Sequence, residues 1–403
     1  MINQDDGFRI AVLRAHGATA GEVEELLAYT HNAFEQPAII GAREYPLPDE
    51  PFVAAWERYA VEAERIGVCA CLRRLLIQLR FPVAAGMSAS DAYRAAIRRG
   101  VVDTEAAPSE GLHFVRPDGL RLLIHPTAVG RIPVVIADLR EDFISLIQSI
   151  VHSNEPVPIP DSMGACIVAG YNNWDRIAQL RVRWEHAHPD ERSTESWVQA
   201  FRGIVSRKEL YQDRFILLSS GPYSAVSAEA LGLGEEEWLA ASLVIRLEHE
   251  CTHYFTRRAF GSMRNSLLDE LIADYMGIVA AVGRYRSDWL LRFMGLESYP
   301  CYRPGGRLGN YRGDPPLSDG AFAVLQSLVK SAAEHLESFE SGRLESCDAG
   351  RLPGGRGLAE GAAIVTALAR LGLEALASDD AVALIGAIVR GADQKMGVRV
   401  TVG

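Results

Sequence analysis

The sequence contains very little lysine and no surplus of positive charge. Its 403 residues include only Lys208, Lys330 and Lys395 as lysines, so arginine carries almost all of the positive charge. We attribute this bias to genome composition rather than to function. The formal net charge is −11, whereas a nucleic-acid-binding protein needs a basic face that displaces counterions from phosphates. We therefore expect no nucleic-acid partner.

The sequence also lacks a long apolar run and a dense set of cysteines. A membrane-spanning helix needs roughly 18 or more apolar residues, and Arg370 interrupts the best segment, near residues 362–377. The acidic N-terminus has neither the basic nor the apolar region of a signal peptide. We therefore expect a cytoplasmic protein without a membrane partner. The six scattered cysteines are predicted to be buried small apolar residues rather than a disulfide framework.

What the sequence does contain is typical of a globular protein, with 48% hydrophobic and 23% charged residues. A chain of 403 residues can form more than one core. Its patterns predict an α+β fold that is predominantly helical, with small N-terminal sheet elements and a helical C-terminal part. A proline-rich stretch after residue 155 predicts a boundary between a mainly helical α+β region at 1–155 and a second domain at 156–403.

Short apolar segments predict the strands. We expect an early strand at residues 8–13 and a hairpin of residues 112–115 and 120–124 around a Pro-Asp-Gly turn. Two further strands are expected at residues 132–136 and 214–219.

The stretch from residue 162 to residue 176 is rich in Gly, Asn and aromatic residues and allows two interpretations. Small residues let a backbone approach a ligand closely, so Asn172 and Asn173 could orient a substrate. Alternatively, the stretch is a tight loop that closes on a helix with Trp174 in a core.

One predicted helix, near residues 235–258, carries the motif HExxH. Positions i and i+4 share one face of an α-helix, so His249 and His253 can bind one metal ion. Glu250 then lies beside them as a candidate general base. A helical wheel places Arg246 on the same polar arc and Cys251 roughly 160° from both histidines, on the apolar side.

A catalytic zinc site usually has three protein ligands and an open position for water. Glu270, on a separate helix predicted from residue 267 to about 285 with Asn265 as its cap, is the best third ligand. Asp274 shares the face of Glu270, and we expect it to accept the other ring N–H of His249 and so fix its orientation. Asp269 is the alternative third ligand.

The order of these residues resembles the gluzincin metallopeptidases, which join HExxH to a downstream ExxxD, here residues 249–253 and 270–274. The resemblance covers about residues 235–283. It implies a zincin-like catalytic domain in which the two histidines and Glu270 bind zinc and Asp274 supports a histidine. Residues 160–165 and 260–265 are also similar to a bacterial family known only as a domain of unknown function.

These observations predict a zinc-dependent hydrolase, either a metallopeptidase or a small-molecule amidohydrolase, in which a zinc-bound water attacks an amide and Glu250 takes its proton. The expected partner is a peptide or a small amide. Two alternatives remain open. One is a non-catalytic zinc-containing protein that binds a peptide or partner, and the other is a structural protein whose motif binds nothing.

A second donor for the developing oxyanion is needed, with Arg246, His152, Tyr302 and Tyr311 as candidates. The loop around them also contains three arginines that could bind a substrate carboxylate or form a solvated basic loop, Arg303, Arg307 and Arg312.

Overall fold

The computed structural model of the chain describes residues 6–31, 34, 44–100, 111–191, 193–261, 266–346 and 357–397. Its strands are β1 (Leu120–His125), β2 (Ile132–Ala137), β3 (Ala165–Asn172) and β4 (Gln212–Ser219). Its helices are α1 (Asp6–Ala15), α2 (Ala20–Thr30), α3 (Val53–Ile66), α4 (Val68–Leu75), α5 (Asp91–Arg99), α6 (Arg140–Ile150), α7 (Trp174–Ala187), α8 (Thr194–Ile204), α9 (Ala228–Leu231), α10 (Glu235–Phe260), α11 (Leu267–Val282), α12 (Ser287–Met294), α13 (Asp319–Ser346), α14 (Leu358–Ala377) and α15 (Ala381–Gly397). The expected predominantly helical α+β fold is confirmed.

The chain divides into two compact units, one formed by residues 1–47 with 222–403 and the other by residues 48–221. This division differs from the boundary predicted near residue 155. Strand β4 lies after that boundary in the sequence, yet it pairs with β2 and so belongs to the same sheet as the strands before it. The N-terminal helices α1 and α2 conversely belong to the unit that contains the C-terminal helices.

The unit of residues 48–221 is built on a mixed four-stranded sheet with the order β1-β2-β4-β3. Strands β1 and β2 are antiparallel, β2 and β4 are parallel, and β3 and β4 are antiparallel. Residues of β2 are buried along the whole strand, as expected for a central strand covered on both faces. Its core includes Trp56, Phe143 and Phe215.

Two strand predictions in the N-terminal half are wrong. Residues 8–13 lie in helix α1, where Arg9, Val12 and Leu13 are buried with the i, i+3, i+4 spacing of a helix face. Residues 112–115 are not a strand, and the antiparallel partner of β1 is β2, so the predicted hairpin around residues 116–119 does not form.

The predicted loop at 162–176 is also largely a strand, because Ala165–Asn172 forms β3 along β4. The strands expected at 132–136 and 214–219 are confirmed as β2 and β4. The predicted cap Asn265 lies outside the described residues, as does Cys347, whereas the other five cysteines are free thiols.

The other unit is helical in its described part, and helices α10 and α11 form its centre. Gly277 of α11 lets them approach closely, because a Cβ atom there would lie 2.7 Å from the carbonyl oxygen of Ile245 on α10. Trp238 packs at 5.5 Å from the ring of Trp289 and so joins α10 to α12. No helix in the described ranges is long and apolar enough to cross a membrane.

Candidate metal centre

Helix α10 has the charge pattern of a long, stable helix and presents the two histidines on one side. Acidic residues occupy its first turn and Arg257 and Arg258 its last turn, which suits the helix dipole at both ends. His249 and His253 are buried, with 6% and 5% of their surfaces exposed. The helix therefore holds both imidazoles inside the protein rather than in solvent.

Three potential ligand groups converge between α10 and α11. The Nε2 atoms of His249 and His253 are 3.0 Å apart. One carboxylate oxygen of Glu270 lies 3.4 Å from His249 Nε2, and its other oxygen lies 3.4 Å from His253 Nε2. Within the described residues these three side chains form the cluster with metal-ligand geometry.

The opposite nitrogen of each ring is bound to a carboxylate. Nδ1 of His249 lies 2.9 Å from Asp274, and Nδ1 of His253 lies 2.8 Å from Asp269. Because an ionised carboxylate only accepts hydrogen bonds, each Nδ1 is the N–H donor. In the neutral imidazoles both Nε2 atoms then carry lone pairs, so three electron-pair donors face one another and require a proton or a metal cation between them.

The spacing of these donors fits a tetrahedral ion. Zinc bonds of about 2.0–2.2 Å to nitrogen and oxygen give ligand-to-ligand separations of roughly 3.3–3.6 Å. The two contacts of Glu270 at 3.4 Å match this range, and the nitrogen-to-nitrogen contact at 3.0 Å is slightly shorter. The donor set of two imidazoles and one carboxylate also suits zinc.

The two aspartates occupy similar positions around this cluster. The expected hydrogen bond between Asp274 and His249 is present. Asp269 holds the ring of His253 from outside and accepts a second hydrogen bond from the hydroxyl of Thr256 at 2.7 Å. Its position is therefore that of a support for a histidine, not the ligand position that we considered as an alternative.

Tyr223 and Arg307 complete the surroundings of His249. The hydroxyl of Tyr223 donates to Asp274 at 2.6 Å and lies 2.9 Å from His249 Nδ1. Arg307 donates from one terminal nitrogen to the Tyr223 hydroxyl at 2.9 Å and from the other to Asp274. A buried guanidinium therefore lies two hydrogen bonds away from one of the imidazoles.

The charges of the cluster shift its pKa values in consistent directions. Burial lowers the pKa of His253, but Asp269 and Glu270 outweigh it and raise that pKa well above its usual value. The pKa of His249 is raised too, by Asp274 and Glu270 against the effect of burial. Burial opposes ionisation of Glu270, yet the two histidines hold its pKa well below the usual range. Without a metal the cluster therefore retains a proton, and a metal ion must displace it.

Two of the predicted substrate residues lie near the cluster. Burial and the nearby negative charge of Glu270 raise the pKa of Tyr311, so its phenol stays protonated. Arg246 is buried, donates to the carbonyl of Pro222 and has its guanidinium 5.7 Å from the ring centre of Tyr223.

Tyr302 and Arg303 are instead used inside their own loop. The Tyr302 hydroxyl donates to the carbonyl of Gly306 and accepts from the backbone N–H of Gly309. Arg303 donates to Glu297 and to the carbonyl of Arg292. Neither contacts the cluster in the described part of the chain, so we withdraw Tyr302 as an oxyanion donor and Arg303 as a substrate residue. The candidate His152 lies in the unit of residues 48–221.

Asn172 and Asn173 belong to the other unit and have structural partners there. Asn173 caps helix α7 by accepting the backbone N–H of Arg176 and donates to the buried carboxylate of Asp213 at 2.6 Å. Asn172 accepts from Gln212 across the strand pair. These hydrogen bonds give both side chains a role in the fold, and we withdraw them as substrate residues.

No sequence pattern predicted a role for Tyr223. It directly follows Gly221 and Pro222, outside any motif, and it is 26 positions away from His249. Arg307 was one of several loop arginines, and its sequence neighbourhood does not distinguish it from Arg303 or Arg312.

Comparison with known proteins agrees with the similarity to a family of unknown function that residues 160–165 and 260–265 suggested. No curated protein and no solved structure matches the chain. A family model does match, over residues 11–380. The chain belongs to the family of unknown function DUF7005.

Proposed function

We propose that this protein is a zinc-dependent hydrolase of the gluzincin type, acting on an amide bond of a peptide or a small molecule. The helical unit would then be a zincin-like catalytic domain with α10 as its active-site helix. The observation that carries the proposal is the convergence of His249 Nε2, His253 Nε2 and Glu270, while both Nδ1 atoms are bound to carboxylates.

The charges around the cluster support a divalent cation. Three carboxylates surround it, from Asp269, Glu270 and Asp274, and the guanidinium of Arg307 pairs with Asp274 and lies 3.9 Å from Glu270. A dication would balance the remaining two negative charges once both imidazoles are neutral. Since buried charges are stable only when they are paired, this balance favours Zn²⁺ over an unloaded cluster at neutral pH.

When bound by His249, His253 and Glu270, zinc would lower the pKa of a water molecule and polarise a carbonyl group. Asp274 and Asp269 fix the tautomer of the two rings, so that Nε2 of each is the free donor. Glu250 follows His249 directly on α10 and is only partly buried. As general base it would accept a proton from water and return it to the leaving amine. Tyr311, held protonated beside Glu270, is the best remaining oxyanion donor.

The proposal is tested by metal analysis and by replacing Glu250. Purified protein should contain about one zinc per chain, and Glu250→Gln should retain it because Glu250 is not a ligand. On a panel of peptides and N-acyl amino acids, Glu250→Gln should lower kcat by about 100-fold or more, the usual contribution of a positioned base.

Glu248→Gln is the matched control, because Glu248 lies on the same helix but points away from the histidines. It should keep both zinc and activity. Absence of stoichiometric metal from the wild-type protein would contradict the proposal altogether. A zinc-loaded wild type that cleaves no member of the panel, like the Glu250→Gln variant, would instead favour a non-catalytic zinc protein that binds a peptide or partner.

A further inference from the structure

The hydrogen bonds around His249 extend well beyond the carboxylate that contacts it. Asp274 is completely buried and receives hydrogen bonds from His249, from the Tyr223 hydroxyl and from Arg307. Arg307 also donates to the Tyr223 hydroxyl and to the Ser224 hydroxyl, at 2.9 and 3.1 Å. Three segments distant in the chain therefore meet on one side of this imidazole.

The backbone next to Tyr223 and the backbone next to Arg307 both adopt unusual conformations, which fix the positions of these two side chains. After Tyr223, Ser224 and Ala225 both adopt the left-handed conformation, with φ of 52° and 55°, which non-glycine residues rarely do. The backbone N–H of Tyr223 donates to the Ser242 hydroxyl on α10, and its ring packs 5.0 Å from the ring of Phe293. Both the backbone and the ring of Tyr223 are therefore held in place.

The loop that carries Arg307 is equally constrained. A Cβ atom on Gly306 would lie 2.6 Å from the carbonyl oxygen of Met294, so only glycine allows this loop to approach the end of α12. The Tyr302 hydroxyl bridges the backbone of Gly306 and Gly309 on either side of the arginine. The loop consequently directs Arg307 towards the interior of the unit. Only 14% of its side-chain surface is exposed to solvent.

We propose that Tyr223 and Arg307 are positioning residues that lock the ring of His249 as a metal ligand by holding Asp274 in place. Neither is a metal ligand, although the guanidinium of Arg307 also lies 3.9 Å from a carboxylate oxygen of Glu270. The planar guanidinium holds Asp274 and the Tyr223 hydroxyl from two nitrogens in a fixed geometry, which the single, freely rotating ammonium of a lysine does not reproduce. This inference rests on the proposed metal site. It assigns a function to the loop between α12 and α13, which contributes no metal ligand but supplies Arg307.

The test uses the full-length protein loaded with cobalt(II) in place of zinc. Unpaired electrons of cobalt shift the exchangeable ring N–H signals of its histidine ligands away from the rest of the proton NMR spectrum. Two such signals are expected, from His249 and His253, and Asp269→Asn assigns the latter because it perturbs only that ring. The rate at which each N–H exchanges with solvent then reports how firmly its hydrogen bonds hold it.

Tyr223→Phe and Arg307→Met should each speed exchange of the His249 N–H by about tenfold or more, while the His253 N–H keeps its wild-type rate. Both variants should also bind cobalt about 10- to 100-fold more weakly, as for other outer partners of metal ligands. Arg307→Lys should restore folding stability by neutralising Asp274 but not the slow exchange, since a freely rotating ammonium does not fix Asp274 and Tyr223 in one geometry. A purely structural role would not act on one ring N–H alone.

Arg312→Met is the matched control, because Arg312 lies in the same loop and donates to Leu317 and Asp319 instead. It should leave both signals unchanged. If Tyr223→Phe and a folded Arg307 variant leave the His249 N–H as slow as in the wild type, the inference is wrong although the metal site stands. A wild type that binds no cobalt and shows no shifted signals contradicts the metal site itself.

Discussion

The two histidines of the cluster share one carboxylate ligand candidate but are supported in different ways. His253 is held by Asp269, which in turn accepts a hydrogen bond from Thr256, one turn further along the same helix. His249 is held by Asp274, which is bound by Tyr223 and Arg307 from two other parts of the chain. The first support is local to α10 and α11, whereas the second depends on the tertiary fold.

The difference shows where the buried charge of the site is balanced. Burial and Asp274 act in opposite directions on the guanidinium of Arg307, and the net effect raises its pKa well above the usual value, so it remains a cation. The His253 side has a hydroxyl in the corresponding position, which supplies a hydrogen bond but no charge. Loss of the supporting carboxylate should therefore have unequal consequences on the two sides.

The largest difference is expected between Asp274→Asn and Asp269→Asn. Asp274→Asn removes the carboxylate that Arg307 contacts most closely and leaves only Glu270, 3.9 Å away, to balance its charge, which destabilises the fold by about 3–5 kcal/mol. Asp269→Asn leaves no permanently charged group without a partner, because Glu270 still lies 3.4 Å from His253 and that imidazole can release its proton, so it should destabilise the fold by about 1–3 kcal/mol. Urea unfolding of the metal-free proteins measures both values.

A double variant separates charge from shape in this comparison. Asp274→Asn combined with Arg307→Met removes both buried charges and should recover part of the stability that Asp274→Asn alone loses. Equal losses for the two single aspartate variants, with no recovery in the double variant, would show that Arg307 does not depend on Asp274 for its burial.

The local half of the site could be predicted from the sequence and the remote half could not. Helices α10 and α11 have strong periodicity, so their faces predicted the convergence of His249, His253 and Glu270 and the contact of Asp274. The placement of Arg307 depends on how a long loop folds against α12, and that of Tyr223 on a left-handed turn. Neither feature leaves a periodic trace in the sequence.

The same limit explains the errors in the fold. Residues 8–13 have the apolar content of a strand, but Arg9 is buried in a helix because it pairs with the buried carboxylate of Glu374, more than 360 positions away. Strand β1 was predicted correctly, but its partner was not. The pairing of β1 with β2 depends on the arrangement of the whole sheet, which local sequence does not encode. Local patterns identify elements better than they identify partners.

A smaller effect is expected from pH in the metal-free protein. The raised pKa of His253 contributes stability that is present below its ordinary value of 6.5 and is lost as the pH rises through the raised value. The lowered pKa of Glu270 contributes stability that is present above its ordinary value of 4.5 and is lost as the pH falls. The metal-free protein should therefore be most stable between the ordinary pKa values of the two groups, from about pH 4.5 to about pH 6.5.

Thermal unfolding between about pH 5 and pH 9, with a chelator or with zinc, measures this dependence. Zinc replaces the retained proton, so the zinc-loaded protein should not lose stability above neutral pH. NMR titration of the metal-free rings should show that the cluster keeps a proton above the ordinary imidazole pKa of 6.5. Parallel stability curves with and without zinc would contradict this account.

The smallest effect is expected at the outer end of the His253 side. Thr256→Val keeps the shape of the side chain but removes the hydroxyl that donates to Asp269, and should weaken zinc binding by about fivefold, equivalent to about 1 kcal/mol. Thr252→Val is the matched control, because Thr252 is also buried on α10 but donates to the carbonyl of Glu248. Competition with a chromogenic chelator measures both affinities. Because a neutral hydroxyl orients Asp269 without balancing its charge, Thr256→Val should affect zinc binding less than Arg307→Met does; an equal or larger loss would mean that the two histidines are supported alike.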